Sequence, residues 1–289
     1  MWGASTAKCL DVFHRRFLKY ILGVRDNIPD PYVYGELGVY PLYIDRHVNM
    51  VKYWLKVTSS GTNSLIHKVY DQLLVENDKQ EKKKQELDKQ GNTPEIEAEK
   101  KKLILNWAGQ IKNLLGKNGF GYVWQQQGVP KNKTRWFIEN LKKRLTDQYL
   151  QKWSEDMAST SKNRLFKHIK TEFKFEEYLD IIDSKHHRIS LSKIRLGSHN
   201  FWIERGRWSK PKKKDHLRIC TDCRKIEDEY HCFIECPRFK PYTKKLPANL
   251  LKKPSMYVFI KTLNTTEPAT MKRLATVCSD ILLNYEKYK

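Results

Sequence analysis

Four residues with metal-binding side chains follow one another at short gaps in the last third of the sequence. Two residues lie between Cys220 and Cys223, seven between Cys223 and His231, and four between His231 and Cys236, which gives the pattern C-x2-C-x7-H-x4-C. The first gap lets both thiolates reach one ion from a tight turn. The last spans a little over one helical turn and can place both side chains on one side. Three thiolates and one imidazole complete a tetrahedral Zn²⁺ site without an open position for water, so the pattern predicts structural zinc and no hydrolysis there.

A fifth candidate ligand, Cys232, lies inside the same segment. It directly follows His231, so both side chains could not easily point at one ion from a regular element. We interpret Cys232 as a small buried residue, with exchange of ligands as the alternative. The chain has only 6 cysteines in 289 residues and no apolar export signal at its start, which favours a metal site over a disulfide scaffold.

The charge of the chain indicates a polyanionic partner. There are 55 Lys and Arg residues against 33 Asp and Glu, a formal net charge of +22, and nucleic acid is the usual partner of so basic a protein. The segment 205–218, just upstream of the metal pattern, has one acid, Asp215, among its cations. Basic side chains can bind phosphates, and aromatic rings can stack on unpaired bases. Their combination in one segment favours RNA or single-stranded DNA as the partner. The expected nucleic-acid-binding residues are Arg205, Arg207, Trp208, Lys210, Lys212, Lys213, Lys214 and Arg218.

Two other interpretations of this basic segment remain open. The run Lys212–Lys214 also fits a nuclear import signal or an exposed loop. The whole module also fits a zinc-stapled protein-interaction module, in which the basic face docks an acidic partner.

Hydrophobic periodicity predicts a mainly α fold, with helical lobes and a small CCHC zinc-knuckle module near the C-terminus. One helix is expected to stop at Gly23, another to be N-capped by Thr134, and a third, amphipathic helix to close the chain. No run approaches the ~20 apolar residues of a membrane span. We therefore expect neither a membrane nor a secreted protein, but a nuclear or cytoplasmic ribonucleoprotein component.

One internal stretch differs in composition from the rest. Residues 76–102 contain 8 acidic and 8 basic residues and only three apolar ones, so we expect a solvated helix or a linker that buries nothing, broken near Gly91 and Pro94. The resulting division of the chain is 1–75, a helical segment; 76–102, the charged stretch; 103–200, a helical domain; 201–240, the basic segment with the zinc knuckle; and 241–289, a C-terminal helical segment.

Several segments together resemble the C-terminal region of LINE-type (non-LTR) retrotransposon reverse transcriptases. In that family a CCHC knuckle follows the polymerase and is preceded by a GRW-like basic segment, as in Gly206-Arg207-Trp208 here. FLKYILGVRDNIPDPYVYGELGVYPL (17–42) is similar to the stretch after the polymerase palm. LLGKNGFGYVW (114–124) and KTEFKFEEYL (170–179) are similar to later parts of the same region. The resemblance covers nearly the whole chain apart from 76–102.

The resemblance implies a role in holding template RNA or target DNA, with the remainder of a reverse transcriptase polyprotein as a further partner. Cys220, Cys223, His231 and Cys236 match the ligands of the family's knuckle. The polymerase needs a pair of adjacent palm aspartates for two metal ions, and this sequence has no Asp-Asp pair. No Pro-Asp of the restriction-like nuclease follows Cys236, and phosphate-loop, zinc-protease and serine-hydrolase motifs are also missing. We therefore expect this chain not to be an enzyme.

Overall fold

The computed structural model describes residues 8–91, 93–103, 105–160 and 165–287, and these ranges are mainly α-helical. They contain sixteen α-helices and no β-strand, with two isolated β-bridges as the only extended pairing. The mainly α fold expected from the sequence is therefore confirmed. The helices are α1 (Lys8–Leu22), α2 (Asp30–Leu37), α3 (Leu42–Thr58), α4 (Leu65–Lys89), α5 (Pro94–Lys102), α6 (Trp107–Lys117), α7 (Gly121–Gln125), α8 (Thr134–Ser159), α9 (Phe166–Ile169), α10 (Tyr178–Ile181), α11 (Lys185–Arg195), α12 (Trp202–Arg205), α13 (Lys240–Thr243), α14 (Ala248–Lys252), α15 (Met256–Leu263) and α16 (Pro268–Lys287).

Short polar side chains fix where several of these helices begin. At the start of α4, Ser64 Oγ accepts a hydrogen bond from the His67 N–H at 3.2 Å, and Asn106 caps α6 through the Gly109 N–H at 3.0 Å. Thr134 does not act in this way. It is the first helical residue of α8, after a 3₁₀ turn, and its hydroxyl donates to the carbonyl of Pro130 behind it. The expectation that Thr134 is an N-cap is therefore wrong.

The charged stretch 76–102 is helical and partly buried. It continues α4 to Lys89 and resumes as α5 at Pro94, so the break falls where Gly91 and Pro94 predicted it. The expectation that the stretch buries nothing is wrong, because Asn77 and Leu87 are almost fully buried. Glu81 of α4 also forms an ion pair with Lys112 of α6 at 2.6 Å. A polar composition therefore did not prevent one face of α4 from packing.

The chain divides into two compact units, each made of two separate stretches of sequence. The first comprises the described residues up to Asp11 and Tyr40–Gln151, and the second comprises Val12–Val39 and the described residues from Lys152 onward. Two of the three boundaries fall inside α1 and α8, and the third, between Val39 and Tyr40, lies between α2 and α3. The five-part division made from the sequence stays a prediction, since compactness does not measure independent folding.

The core of the first unit is built on aromatic side chains. The Trp54 ring of α3 is fully buried, stacks on Trp124 of α7 with 5.7 Å between ring centroids, and donates its indole N–H to the Tyr70 hydroxyl at 2.9 Å. Tyr70 in turn donates to Gln127 at 2.7 Å. Burying these large rings stabilises the unit, and neither the indole N–H of Trp54 nor the hydroxyl of Tyr70 is left unpaired.

A buried arginine ties together distant segments of the second unit. Arg195, at the end of α11, is 1% exposed and forms ion pairs with Glu36 of α2 at 2.6 Å and with Glu176 at 2.8 Å. Its guanidinium also donates to the Leu263 carbonyl at 2.7 Å. Burial lowers the pKa of Arg195, but the two carboxylates outweigh it and the net shift is upward. The charge is therefore retained inside the unit.

The Tyr34–Gly38 segment, on which part of the family resemblance rests, has a structural explanation here. Gly35 lies so close to the Trp153 ring that a Cβ would come within 2.9 Å of it. Glu36 is the fully buried partner of Arg195. Gly38 ends α2 with a φ of 59° against the backbone of Phe175, a conformation that favours glycine. These residues position α2 within the second unit.

None of the helices in the described ranges combines the length and the apolar character that crossing a bilayer requires.

We expect the Arg195→Met substitution to lower the free energy of unfolding by about 3–5 kcal/mol, because it leaves the carboxylate of Glu36 buried and unpaired. Urea denaturation followed by circular dichroism measures the change. The matched control is Arg135→Met, which breaks the exposed pair with Glu139 and should change stability little. Equal effects of the two substitutions would contradict the central role of Arg195.

Candidate metal centre and adjacent basic segment

The first two candidate ligands lie in a tight turn closed by backbone hydrogen bonds. The Cys220 N–H donates to the Lys225 carbonyl at 2.7 Å, and the Arg224 N–H donates to the Cys220 carbonyl at 3.0 Å. An antiparallel bridge between Ile219 and Ile226 holds the base of the turn. Arg224 reverses the chain with a φ of 57°, in the left-handed region. This is the tight turn that the two-residue spacing of the cysteines predicts.

The second pair of ligands comes from a single π-helical turn, His231–Glu235, and the residue that follows it. Asp228 begins this turn by accepting a hydrogen bond from the His231 N–H at 2.8 Å. At its end, the Cys236 N–H donates to the His231 carbonyl, also at 2.8 Å. The wide π turn brings His231 and Cys236 to the same side. The sequence predicted this placement, because the four-residue gap between them spans a little over one helical turn.

These two local structures bring the four ligand atoms together. The ligand atoms of Cys220, Cys223, His231 and Cys236 all lie within 4.8 Å of one another, and the Cys223 and Cys236 sulfurs are 3.7 Å apart. Cys223 is half-buried and the other three are buried. The four residues can therefore bind one metal ion.

The environment of His231 fits a ligand for a metal. Its Nε2 is buried and has no hydrogen-bond partner among the described residues, whereas its Nδ1 lies 3.2 Å from a carboxylate oxygen of Glu235. Metal-ligating histidines usually use one ring nitrogen for the ion and hydrogen-bond the other to a carboxylate, which fixes the ring. An unpaired buried nitrogen is costly unless an ion or a donor completes it.

The protonation state of the cysteine thiols also depends on whether a cation is bound. Burial, together with the neighbouring thiols, raises the pKa of Cys236 to about 12, and burial likewise raises the pKa of Cys223. Without a cation these thiols therefore stay protonated at neutral pH. A bound dication stabilises the thiolate form, so metal binding releases protons here.

Cys232 lies outside the group of four ligand atoms. It is buried in the hydrophobic core of the second unit, together with Phe233 and residues of α16 such as Cys278. Burial raises the pKa of its thiol well above the ordinary value. The structure thus places Cys232 as a small core residue.

Glu227 holds the metal-binding loop, residues 220–236, against two neighbouring helices. Its buried carboxylate accepts hydrogen bonds from the Trp202 N–H at 2.9 Å and from the Tyr285 hydroxyl at 2.5 Å. Its carbonyl accepts from the Ile203 N–H at 3.1 Å. A single residue between the two ligand pairs therefore holds the loop against α12 and α16.

Most of the basic segment is exposed beside this loop. Lys210 and Lys212–Lys214 are exposed, Trp208 is 58% exposed, and Arg205 and Arg207 are half-buried. Arg207 forms an ion pair with Glu204 at 3.2 Å. Of the predicted nucleic-acid-binding residues, the four lysines and Trp208 are thus the most accessible.

Arg218 is placed differently from the expectation that it contacts phosphate. It is 2% exposed, and its guanidinium donates to the Lys213 carbonyl at 3.1 and 2.8 Å and to the Ile203 carbonyl at 2.8 Å. It also pairs with Asp215 at 2.7 Å. Because these bonds occupy its donors, we reassign Arg218 from phosphate contact to holding the backbone of the lysine run.

The two tryptophans of the segment differ in accessibility. The Arg205 guanidinium lies 4.0 Å and the Lys213 ammonium 4.6 Å from the centroid of the Trp202 ring, so cations already occupy that ring. Trp208 is far more exposed. Trp208 is therefore the better placed of the two to stack on a base.

Three residues that support the metal-binding loop or its ligands were not singled out from the sequence, Glu227 and the two that contact His231. Asp228 caps the π turn and Glu235 orients the His231 ring. The signal for Glu235 is its position four residues after His231, which places both on one helical face. Charged residues are so common in this chain that such a spacing does not stand out.

We expect one metal ion per chain, and we expect Cys223→Ser to lose it, because a hydroxyl is a poor substitute for a thiolate ligand. Metal content after gel filtration, measured by inductively coupled plasma mass spectrometry, provides the test. The control is Cys232→Ala, which removes a buried thiol outside the ligand group and should retain the ion. Retention of the ion by both variants would refute this ligand set.

Comparison of the chain with known proteins found no matching protein-family model, no matching curated protein and no matching solved structure.

Proposed function

We propose that this protein binds RNA or single-stranded DNA through the basic segment 205–214, which a structural Zn²⁺ ion holds in place. The observation that carries the proposal is the convergence of four ligand atoms within 4.8 Å of one another, in a loop that begins six residues after a run of exposed lysines. The metal ion orders the loop that carries its ligands, and the neighbouring basic segment presents its lysines to phosphate.

The donor set supports zinc as the ion. Three thiolates and one imidazole are a common ligand set of structural zinc sites. The buried, unpaired Nε2 of His231 supplies the imidazole, and its other nitrogen already contacts Glu235. Four protein ligands leave no position for a reactive water, so the role of the ion is structural and the chain is not an enzyme at this site.

Arg218 supports a mechanical link between the ion and the lysines. It lies two residues before Cys220, and its guanidinium donates twice to the carbonyl of Lys213. The Lys213 N–H also donates to the Gly206 carbonyl at 3.1 Å. Ordering of the metal-binding turn therefore orders Arg218, and Arg218 orders the backbone of Lys212–Lys214.

The chemistry of the exposed side chains favours nucleic acid as the partner. Lysine ammonium groups neutralise phosphates, and an exposed indole such as Trp208 stacks on an unpaired base. Binding of this kind has a steep salt dependence, because each phosphate contact releases counterions. The resemblance to the C-terminal region of non-LTR retrotransposon reverse transcriptases agrees with this partner. It adds the proposal that the chain acts beside a polymerase within a ribonucleoprotein.

We expect replacement of Lys212, Lys213 and Lys214 by Glu to weaken RNA binding strongly and to reduce its salt dependence, because three phosphate contacts are lost. Fluorescence anisotropy with a labelled single-stranded RNA, measured over a series of salt concentrations, gives both quantities. The matched control replaces Lys82, Lys83 and Lys84 of α4, which are also consecutive and exposed.

Two results would count against the proposal. If both triple variants lose binding equally, the effect follows from net charge rather than from this segment. If the wild-type protein binds an acidic protein with higher affinity than RNA in the same buffer, the zinc-stapled protein-interaction module is the better description.

A further inference from the structure

The lysine run lines a groove to which a distant part of the sequence also contributes. Lys167 of α9 and Thr160, just after α8, line this groove together with residues of the basic segment. The groove encloses about 560 Å³. Lys167 lies outside the basic segment in the sequence, so only folding brings it to the same surface.

The groove is strongly cationic. Among the described residues that line it, the only acid is Asp215, whose carboxylate pairs with Arg218 at 2.7 Å and is thereby neutralised. Lys167, Lys212 and Lys214 are exposed and have no acidic partner within 4 Å among the described residues. The cationic lining residues are Lys167, Arg207, Lys212, Lys213, Lys214 and Arg218. Like charges in a concave surface focus a positive potential that attracts anions.

The size of the groove suits a short stretch of a single strand. A volume of about 560 Å³ lies within the ~300–1,000 Å³ range of pockets that enclose small ligands. A short stretch of a single strand can enter such a groove, with its phosphates against the lysines and its bases free to stack outside. The bases of a duplex are already paired and stacked on one another, so only a single strand offers unpaired bases to an exposed ring such as Trp208.

We propose that this groove binds the sugar–phosphate backbone of a single strand of nucleic acid, and that Lys167 contacts phosphate together with Lys212–Lys214. This inference rests on the proposed function. It adds the path of the strand, a contact residue outside the basic segment, and a preference for single strands over duplex.

The test compares Lys167→Glu with Lys244→Glu. Both lysines are exposed and both substitutions change the net charge equally, but Lys244 does not line the groove. The probes are a labelled single-stranded RNA of mixed sequence and the same RNA annealed to its complement. Thermal melting and metal content of each variant establish that it is folded.

We expect Lys167→Glu to weaken single-strand binding at least about fivefold at 0.1 M salt, and to reduce the slope of log K against log salt by about 0.7, the value for one phosphate contact. Lys244→Glu should change neither quantity by a comparable amount. The wild-type protein should bind the single strand with higher affinity than the duplex.

The outcomes separate this inference from the proposed function. If the Lys212–Lys214 variant loses binding while Lys167→Glu binds like the wild type, the groove is refuted and the proposed function stands. Equal losses in Lys167→Glu and Lys244→Glu, or equal affinity for duplex and single strand, also overturn the groove. If the wild-type protein binds neither RNA, the proposed function itself fails.

Discussion

The buried guanidinium of Arg195 is the contact around which the second unit is assembled. Its partners, Glu36, Glu176 and the Leu263 carbonyl, come from segments far apart in the sequence. Because a buried charge that loses its partner costs several kcal/mol, these segments are stable only when they are present together. The same unit contains the metal ligands and the basic groove. The candidate site therefore lies in a unit whose core combines buried ion pairs with apolar side chains.

Arg218 is a second buried arginine that joins separate parts of the chain, over shorter distances in the sequence. It joins the carbonyls of Lys213 and Ile203 and lies beside the metal-binding turn that begins at Cys220. An arginine has five donors in a fixed fork, which suits it to holding several backbone carbonyls at once. The sequence alone predicts that the Arg218 guanidinium contacts phosphate, but in the structure it binds backbone carbonyls inside the protein. The lysines whose backbone it holds keep their charges at the surface.

The helices and the ligand set could be predicted because both depend on local spacing. Apolar residues at helical intervals fixed most of the long helices, and C-x2-C-x7-H-x4-C fixed the four ligands. The errors arose where contacts that the apolar and charge patterns do not specify decide the outcome. Asn77 is buried beside Gly109 of α6, Thr134 is preceded by a 3₁₀ turn, and Arg218 donates to backbone carbonyls rather than contacting phosphate.

The sequence by itself determined which residues can bind a metal, that the fold is mainly α, and where positive charge is concentrated. Only the tertiary structure decided which of these charges face solvent and which further residue, Lys167, shares a surface with Lys212–Lys214. The reason is physical. Ligand spacing and helical periodicity are set by bonds and angles within a few residues. Burial and the shape of a groove depend instead on which segments pack together, and a local pattern does not carry that information.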